Sequence, residues 1–125
     1  MKTIYPAIFT QEENGMYSVV FPDLEGCFTC GDDLEDAVKM AEEAIGLYLS
    51  SALEEGEVIP EPTAIHKVVF SDNDFVTYVR ANLAEQLNDK IVRKTVTIPQ
   101  WMNVAAEKRN LNFSAVLREG LVKYL

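Results

Sequence analysis

Hydrophobic and polar residues alternate in short runs over the first thirty positions of the chain, which is the period of β-strands. Two such runs, at residues 3–9 and 16–21, are separated by the turn-forming sequence EENG, so we predict a β-hairpin there. Residues 27–30 predict a third strand. Because Pro6 has no N–H to donate to a ladder, we expect it at a sheet edge or at a bulge.

After these predicted strands, the spacing of apolar residues changes from the period of a strand to that of a helix. Apolar residues at steps of three or four predict one long amphipathic helix that packs on the sheet, through Leu34, Val38, Ala41, Ile45, Tyr48 and Ala52. Asp32 and Glu35 have the spacing of a capping box, and Gly56 suits a left-handed helix stop. Residues 57–67 contain two prolines and predict a surface connection to a fourth strand at 75–81.

A change of domain is predicted near residue 88. NLAEQL at 82–87 predicts a short helical turn, and the polar sequence NDK follows it. We therefore expect a compact α+β body with the element order βββαβ at residues 1–87, and a second domain at residues 88–125.

A second stretch of strand-like alternation, VRKTVTIP, opens this C-terminal domain. Alternation places Val96 and Ile98 on one face of the predicted strand. The opposite face is polar and holds Arg93, Thr95 and Thr97.

Two short helices are predicted after this strand. Pro99 suits the first turn of a helix, where its missing N–H leaves no hydrogen bond unmade. Asn110 suits a left-handed stop, and Asn112 or Ser114 can cap the second helix. The buried sides of the two helices are predicted to hold Trp101, Val104, Ala105, Phe113, Ala115, Leu117, Leu121 and Leu125.

The C-terminal strand needs a partner strand that the chain does not supply. A strand and two helices in residues 93–125 are too few to shield a core of their own. We therefore expect a homodimer, or a higher oligomer, in which the strand pairs antiparallel with its twin and four helices share one core. Such a ribbon fits the DNA major groove and presents Arg93, Thr95 and Thr97 to base edges. Lys94 lies on the core side, where its stem can pack while its ammonium group reaches a phosphate.

The distribution of charge supports two different partners. The chain has a net charge of −9, but residues 1–87 carry 17 acidic against 4 basic residues, or −13. Residues 88–125 carry 3 acidic against 7 basic residues, or +4. This asymmetry between an acidic body and a basic C-terminal domain indicates two different partners, one of them nucleic acid.

Composition also bounds the compartment. No run of 18 or more apolar residues occurs, and the first ten residues, MKTIYPAIFT, lack the continuous apolar segment of a signal peptide. Cys27 and Cys30 are the only cysteines, too few for a disulfide framework. We expect a cytoplasmic protein with no membrane partner.

The last quarter of the chain, VRKTVTIPQWMNVAAEKRNLNFSAVLREGLVKYL, resembles a ribbon-helix-helix domain. The resemblance implies that the start of the second helix, at Asn112, Phe113 and Ser114, presents backbone N–H groups to a DNA phosphate. That family often has Arg, Lys, Asn or Gln among its base-reading strand positions, where this chain has Thr95 and Thr97. Threonine discriminates less by hydrogen bonding and can contact thymine methyl groups.

The front of the chain is similar to the HicB-type antitoxins, in the sequence YSVVFPDLEGC followed by GDDLEDA. The resemblance implies a degenerate RNase H-like body that binds and masks a HicA toxin, a small basic ribonuclease that depends on a histidine. It further implies a protein that is not an enzyme, and that as a dimer binds operator DNA to repress its own operon.

Two other functions remain open from the sequence. The body could sense a ligand for a ribbon-helix-helix regulator, or, less favoured, act as a metal-dependent nuclease through Asp23, Glu25, Asp32 and Asp33. We assign these carboxylates to turns and caps instead. The CxxC spacing of Cys27 and Cys30 lacks further ligands beyond the single His66, so we expect neither a metal nor a cofactor.

Overall fold

The computed structural model describes residues 2–83, 87 and 90–125. The chain forms two compact units, Lys2–Asn88 and Asp89–Leu125, which we call the body and the C-terminal unit. The helical turn predicted within 82–87 and the boundary predicted at 88 fall largely outside the described residues.

The body is built on one antiparallel sheet of four strands. These are β1 (Ile4–Gln11), β2 (Tyr17–Val20), β3 (Phe28–Gly31) and β4 (Asp74–Arg80), arranged in the order β3-β2-β1-β4. The turn between β1 and β2 uses Gly15 at φ 84°, a left-handed conformation that glycine adopts without a steric penalty. The predicted hairpin and the two further strands are confirmed.

Pro6 has a neighbouring strand on one side only, so the expected edge position is confirmed, although β1 as a whole is a central strand. β1 pairs with β2 on one side and with β4 on the other. The β2 ladder, however, covers only Ile8 to Gln11, whereas Pro6 is paired with Tyr78 of β4. Half of the backbone groups near Pro6 therefore have no ladder partner, which is the condition that a proline requires.

One long helix, α1 (Leu34–Glu54), covers one face of the sheet. The core between them comprises Tyr5, Ala7, Phe9, Val19, Ala37, Ala41, Ile45, Leu49 and Val79. Phe9 stacks on Phe75 of the adjacent strand with ring centroids 5.0 Å apart. The body thus has the fully buried apolar interior of a stable domain.

The capping box of α1 lies one residue later than the spacing of Asp32 and Glu35 predicts. Asp33 is the N-cap residue, and its Oδ1 accepts a hydrogen bond of 2.8 Å from the N–H of Asp36. Asp36 Oδ2 in turn accepts one of 2.9 Å from the N–H of Asp32. Gly56, at φ 73°, lies just beyond the other end of the helix as predicted.

We expect Asp33→Ala to lower the free energy of unfolding by about 1 kcal/mol, because it removes the side-chain acceptor at the start of α1. The matched control is Asp32→Ala, which retains the backbone N–H that this residue contributes. Urea denaturation of both variants measures the difference. Equal stability of the two variants would contradict the assignment of the cap.

The C-terminal unit contains two helices, α2 (Gln100–Lys108) and α3 (Phe113–Tyr124). Pro99 is the N-cap residue of α2 and not its first helical residue, one position earlier than expected. Asn110 takes the predicted left-handed conformation at φ 53°. Asn112 caps α3, since its Oδ1 accepts a hydrogen bond of 3.1 Å from the N–H of Ala115.

Residues 90–99, which precede α2, pair with no strand in the described part of this single chain. A ladder requires two strands, so the pairing of residues 92–98 with a second copy stays a prediction.

Candidate functional site

The C-terminal unit leaves its apolar side chains uncovered. None of its described residues is buried, although its helices carry the apolar stripes predicted above. Trp101 is 68% exposed and Val96 59% exposed, whereas Phe9 and Ile45 of the body are fully buried. The large exposed apolar side chains of this unit include Ile98, Val104, Val116, Leu117, Leu121 and Val122. A soluble protein rarely exposes so many apolar residues in so few positions unless another surface covers them.

The predicted DNA-binding residues fall into two groups. The first, comprising Arg93, Lys94, Thr95 and Thr97, lies in the exposed segment before α2. The second, comprising Asn112, Phe113 and Ser114, lies at the start of α3, with Asn112 occupied as its cap. Among the hydrogen bonds of the described residues, none uses the N–H of Phe113 or of Ser114. These are the orphan donors of a helix start, and they can bind an anion.

One carboxylate of the acidic cluster, that of Asp23, has a structural partner. Asp23 accepts two hydrogen bonds from Thr63, of 2.9 Å from its N–H and 2.5 Å from its hydroxyl group. This carboxylate thereby holds the connection that leads from α1 to β4. Within residues 2–83, 87 and 90–125, no three His, Cys, Asp or Glu side chains are grouped so that they could hold a metal ion.

The two cysteines differ in environment. Cys27 is buried, and burial raises the pKa of its thiol to about 11, whereas Cys30 is exposed on β3. A thiol with so high a pKa is protonated at neutral pH and is a poor nucleophile or metal ligand. Cys27 therefore packs as a small apolar side chain.

A negative surface borders the end of the body where α1 stops. Between Lys39 and His66 the sequence contains six glutamates and neither lysine nor arginine.

The hydroxyl of Tyr5 donates a hydrogen bond to the carbonyl oxygen of Pro60. Burial, and then the charges of Glu61 and Asp23, raise the pKa of Tyr5 to about 12.

A groove that sequence analysis missed lies at the same end of the body. It has a volume of about 440 Å³ and is lined by residues 26–28 at the start of β3, residues 44, 47, 48, 51 and 52 of α1, and Glu57. The recurrence of apolar residues at steps of three and four placed Tyr48 in the predicted buried stripe of α1, but it gave Leu47 no role. Leu47 is 57% exposed. Its signal in the sequence was that of an apolar residue outside the predicted buried stripe.

A family model for the HicB-like antitoxin of bacterial toxin–antitoxin systems matches residues 5–117, in both units. The chain belongs to the HicB-like antitoxin family. An uncharacterised 14.9 kDa protein of Haemophilus phage HP1 is 34% identical to it over 99 residues, which are 77% of this chain and 73% of that protein.

Two solved structures resemble this HicB-like antitoxin. A toxin–antitoxin complex from Streptococcus pneumoniae matches with a TM-score of 0.65 and 26% identity over the whole length of both chains. A HicA3 and HicB3 toxin–antitoxin complex matches with a TM-score of 0.53 and 27% identity, over 63% of this chain and 98% of that chain.

Family membership decides between the interpretations that the sequence left open for the acidic cluster. The HicB-like antitoxin is the inhibitory member of a toxin–antitoxin pair and is not an enzyme. The nuclease alternative is therefore wrong, which agrees with the engagement of Asp23 by Thr63. The described part of the HicB-like chain contains no helix that is long and apolar enough to cross a membrane.

Proposed function

We propose that this antitoxin neutralises a HicA-like toxin through its body and, as a homodimer, binds operator DNA through its C-terminal unit to repress its own operon. The similarity to a HicA3 and HicB3 complex supports the choice of toxin. The body neutralises by occlusion, because it covers the ribonuclease site of the toxin and performs no chemistry itself. The pair acts in the cytoplasm, where mRNA is the substrate of the toxin.

Charge supports this division of labour. The body has a net charge of −13, from 17 acidic and 4 basic residues, and it therefore attracts a small basic ribonuclease. The resemblance to HicB-type antitoxins implies a degenerate RNase H-like fold for this body. Its four-stranded antiparallel sheet under one helix is compatible with that assignment.

The lack of any buried side chain among the described residues of the C-terminal unit is the observation that carries the DNA-binding half of the proposal. A second copy covers the apolar side chains of this unit when α2 and α3 of both copies form one core. The two segments at residues 92–98 then pair as an antiparallel ribbon in a ribbon-helix-helix arrangement. Arg93, Thr95 and Thr97 project from this ribbon into the major groove.

Phosphate contacts fix the ribbon on the duplex. The free N–H groups of Phe113 and Ser114 bind one phosphate at the start of α3, next to the cap at Asn112. Lys94 adds a second phosphate contact. The net charge of +4 on residues 88–125, from 7 basic and 3 acidic residues, supplies the non-specific attraction.

We expect Arg93→Ala and Thr97→Ala to weaken operator binding by about tenfold each, because each removes a contact to a base edge. Neutralisation of the toxin stays within twofold of the unchanged chain. Fluorescence anisotropy with a duplex from upstream of the gene pair measures the first activity, and an mRNA-cleavage assay measures the second.

The matched control is Lys123→Ala, which removes one positive charge from the same unit at the far end of α3. This variant should bind the operator almost as well as the unchanged chain at 150 mM salt. A loss of both activities in Arg93→Ala, with the fold intact by circular dichroism, would refute the separation of the two functions. Equal effects of Arg93→Ala and Lys123→Ala on DNA binding would contradict the contact of Arg93 with a base edge.

A further inference from the structure

The groove of the body lies beside an open strand edge. β3 is the edge strand of the sheet, and the described residues provide it with a ladder partner only on the β2 side. The outward backbone N–H and C=O groups of Phe28–Gly31 can therefore accept another strand. The groove between β3 and α1 would receive the side chains of such a strand.

The walls of the groove include large apolar side chains that are accessible. Phe28 is 71% exposed and Leu47 is 57% exposed, and both line it. Ala44, Tyr48 and Ser51 provide the remaining surface along α1. Large exposed apolar side chains around a concave surface are typical of a protein-binding site.

Acidic residues lie in the groove and next to its lining residues in the sequence. Glu57 lines the groove itself. Glu25 precedes the lining residue Gly26, and Glu43 lies one helical turn before Leu47 on α1. From residue 40 to residue 65 the chain has no lysine or arginine to offset these carboxylates. A groove with accessible apolar side chains and these acidic residues selects a segment that is both apolar and basic.

We propose that this groove is where the body holds the toxin: an extended apolar and basic segment of the toxin adds to the edge of β3 and inserts a side chain between Phe28 and Leu47. The inference rests on the proposed function, since it names the surface through which the toxin is bound. A second copy of the body is the disfavoured occupant, because two surfaces with the same glutamates repel each other.

The test uses the full chain and the HicA-like toxin that the proposed function assigns to it. Leu47→Asp should weaken their affinity at least tenfold in isothermal titration, because it places a charge in an apolar contact. Leu34→Asp is the matched control, with a leucine of similar exposure, 45%, on the same helix. It lies 13 residues away, a distance of about 20 Å along the helix axis, and should bind the toxin normally.

A second measurement reports on the strand. Amide hydrogen exchange at Phe28–Gly31 should slow in the complex, since addition of a strand protects the outward N–H groups of β3. An unchanged exchange rate at these amides in a saturated complex would overturn the proposed binding mode.

The remaining outcomes separate this inference from the function on which it rests. Normal toxin binding by Leu47→Asp overturns the groove as the docking site and leaves the antitoxin role intact. A Leu47→Asp chain that binds toxin normally but has a lower mass in light scattering assigns the groove to a second copy, and also overturns the inference. Failure of the unchanged chain to bind or inhibit the toxin overturns the proposed function itself.

Discussion

A chain cut after Leu87 will lose operator binding by at least about a thousandfold and will have a lower oligomeric state, while it continues to inhibit the toxin. The reason is that the cut removes α2, α3 and the segment that precedes them, and leaves the whole sheet and α1 in place. The body retains its own buried core in Tyr5, Phe9, Ile45 and Leu49. Light scattering gives the mass, and anisotropy with operator DNA gives the affinity.

A point variant of the full chain tests whether the loss of dimerisation, rather than the removal of residues 88–125 as such, causes these effects. Ile98→Asp changes one exposed apolar side chain in the predicted ribbon, and should also lower both the mass and the operator affinity. A truncated chain that keeps its mass and its affinity for DNA would place both properties in the body. The C-terminal unit would then need another explanation for its exposed apolar residues.

Gly31→Ala will destabilise the body by about 3 kcal/mol or more, which corresponds to a fall of over 10 °C in its melting temperature. A Cβ at this position lies 2.2 Å from the N and 2.5 Å from the Cα of Ala37, and 2.7 Å from the carbonyl carbon of Asp36. These are backbone atoms of the first turn of α1, so they cannot rotate away. Relief of the clash requires α1 to move off β3, which opens the core.

The matched control for this variant is Gly120→Ala in α3. A Cβ at Gly120 meets no atom within 4 Å, and alanine favours a helix over glycine by about 1 kcal/mol. We therefore expect it to be neutral or stabilising in calorimetry. An unchanged melting temperature for Gly31→Ala would mean that the approach of α1 to β3 is looser than the structure has it.

The spacing of apolar residues along the sequence predicted the strands and the helix of the body, because each of these elements has one more apolar and one more polar face. The start of α1 was displaced because Asp32 with Glu35 and Asp33 with Asp36 have the same spacing, and both pairs suit a capping box. Spacing alone does not choose between them, and the structure places the start of the helix directly after Asp33. The edge position of Pro6 was predictable from its missing N–H, whereas its pairing with Tyr78 was not, because β4 follows some seventy residues later in the chain.

The candidate sites were predictable to different extents. Alternation assigned Arg93, Thr95 and Thr97 to one face of a strand, but the described part of this single chain contains no strand that pairs with them, and their roles remain predictions. The groove depends on the placement of Leu47 beside the start of β3, which joins two elements distant in sequence. The periodicity of one short segment does not show which distant segments it will contact.

The pairing of Ile4 with Arg80 joins the first strand of the body to its last. During synthesis, the side of β1 that pairs with β4 therefore stays open until nearly all of the body has left the ribosome. A message cut before the codons for β4 yields a polypeptide with an open β1 edge, and such a fragment is a substrate for proteases rather than an inhibitor. Cleavage of its own transcript before these codons would thus yield no active antitoxin, whereas cleavage beyond the codon for Leu87 would yield the body alone.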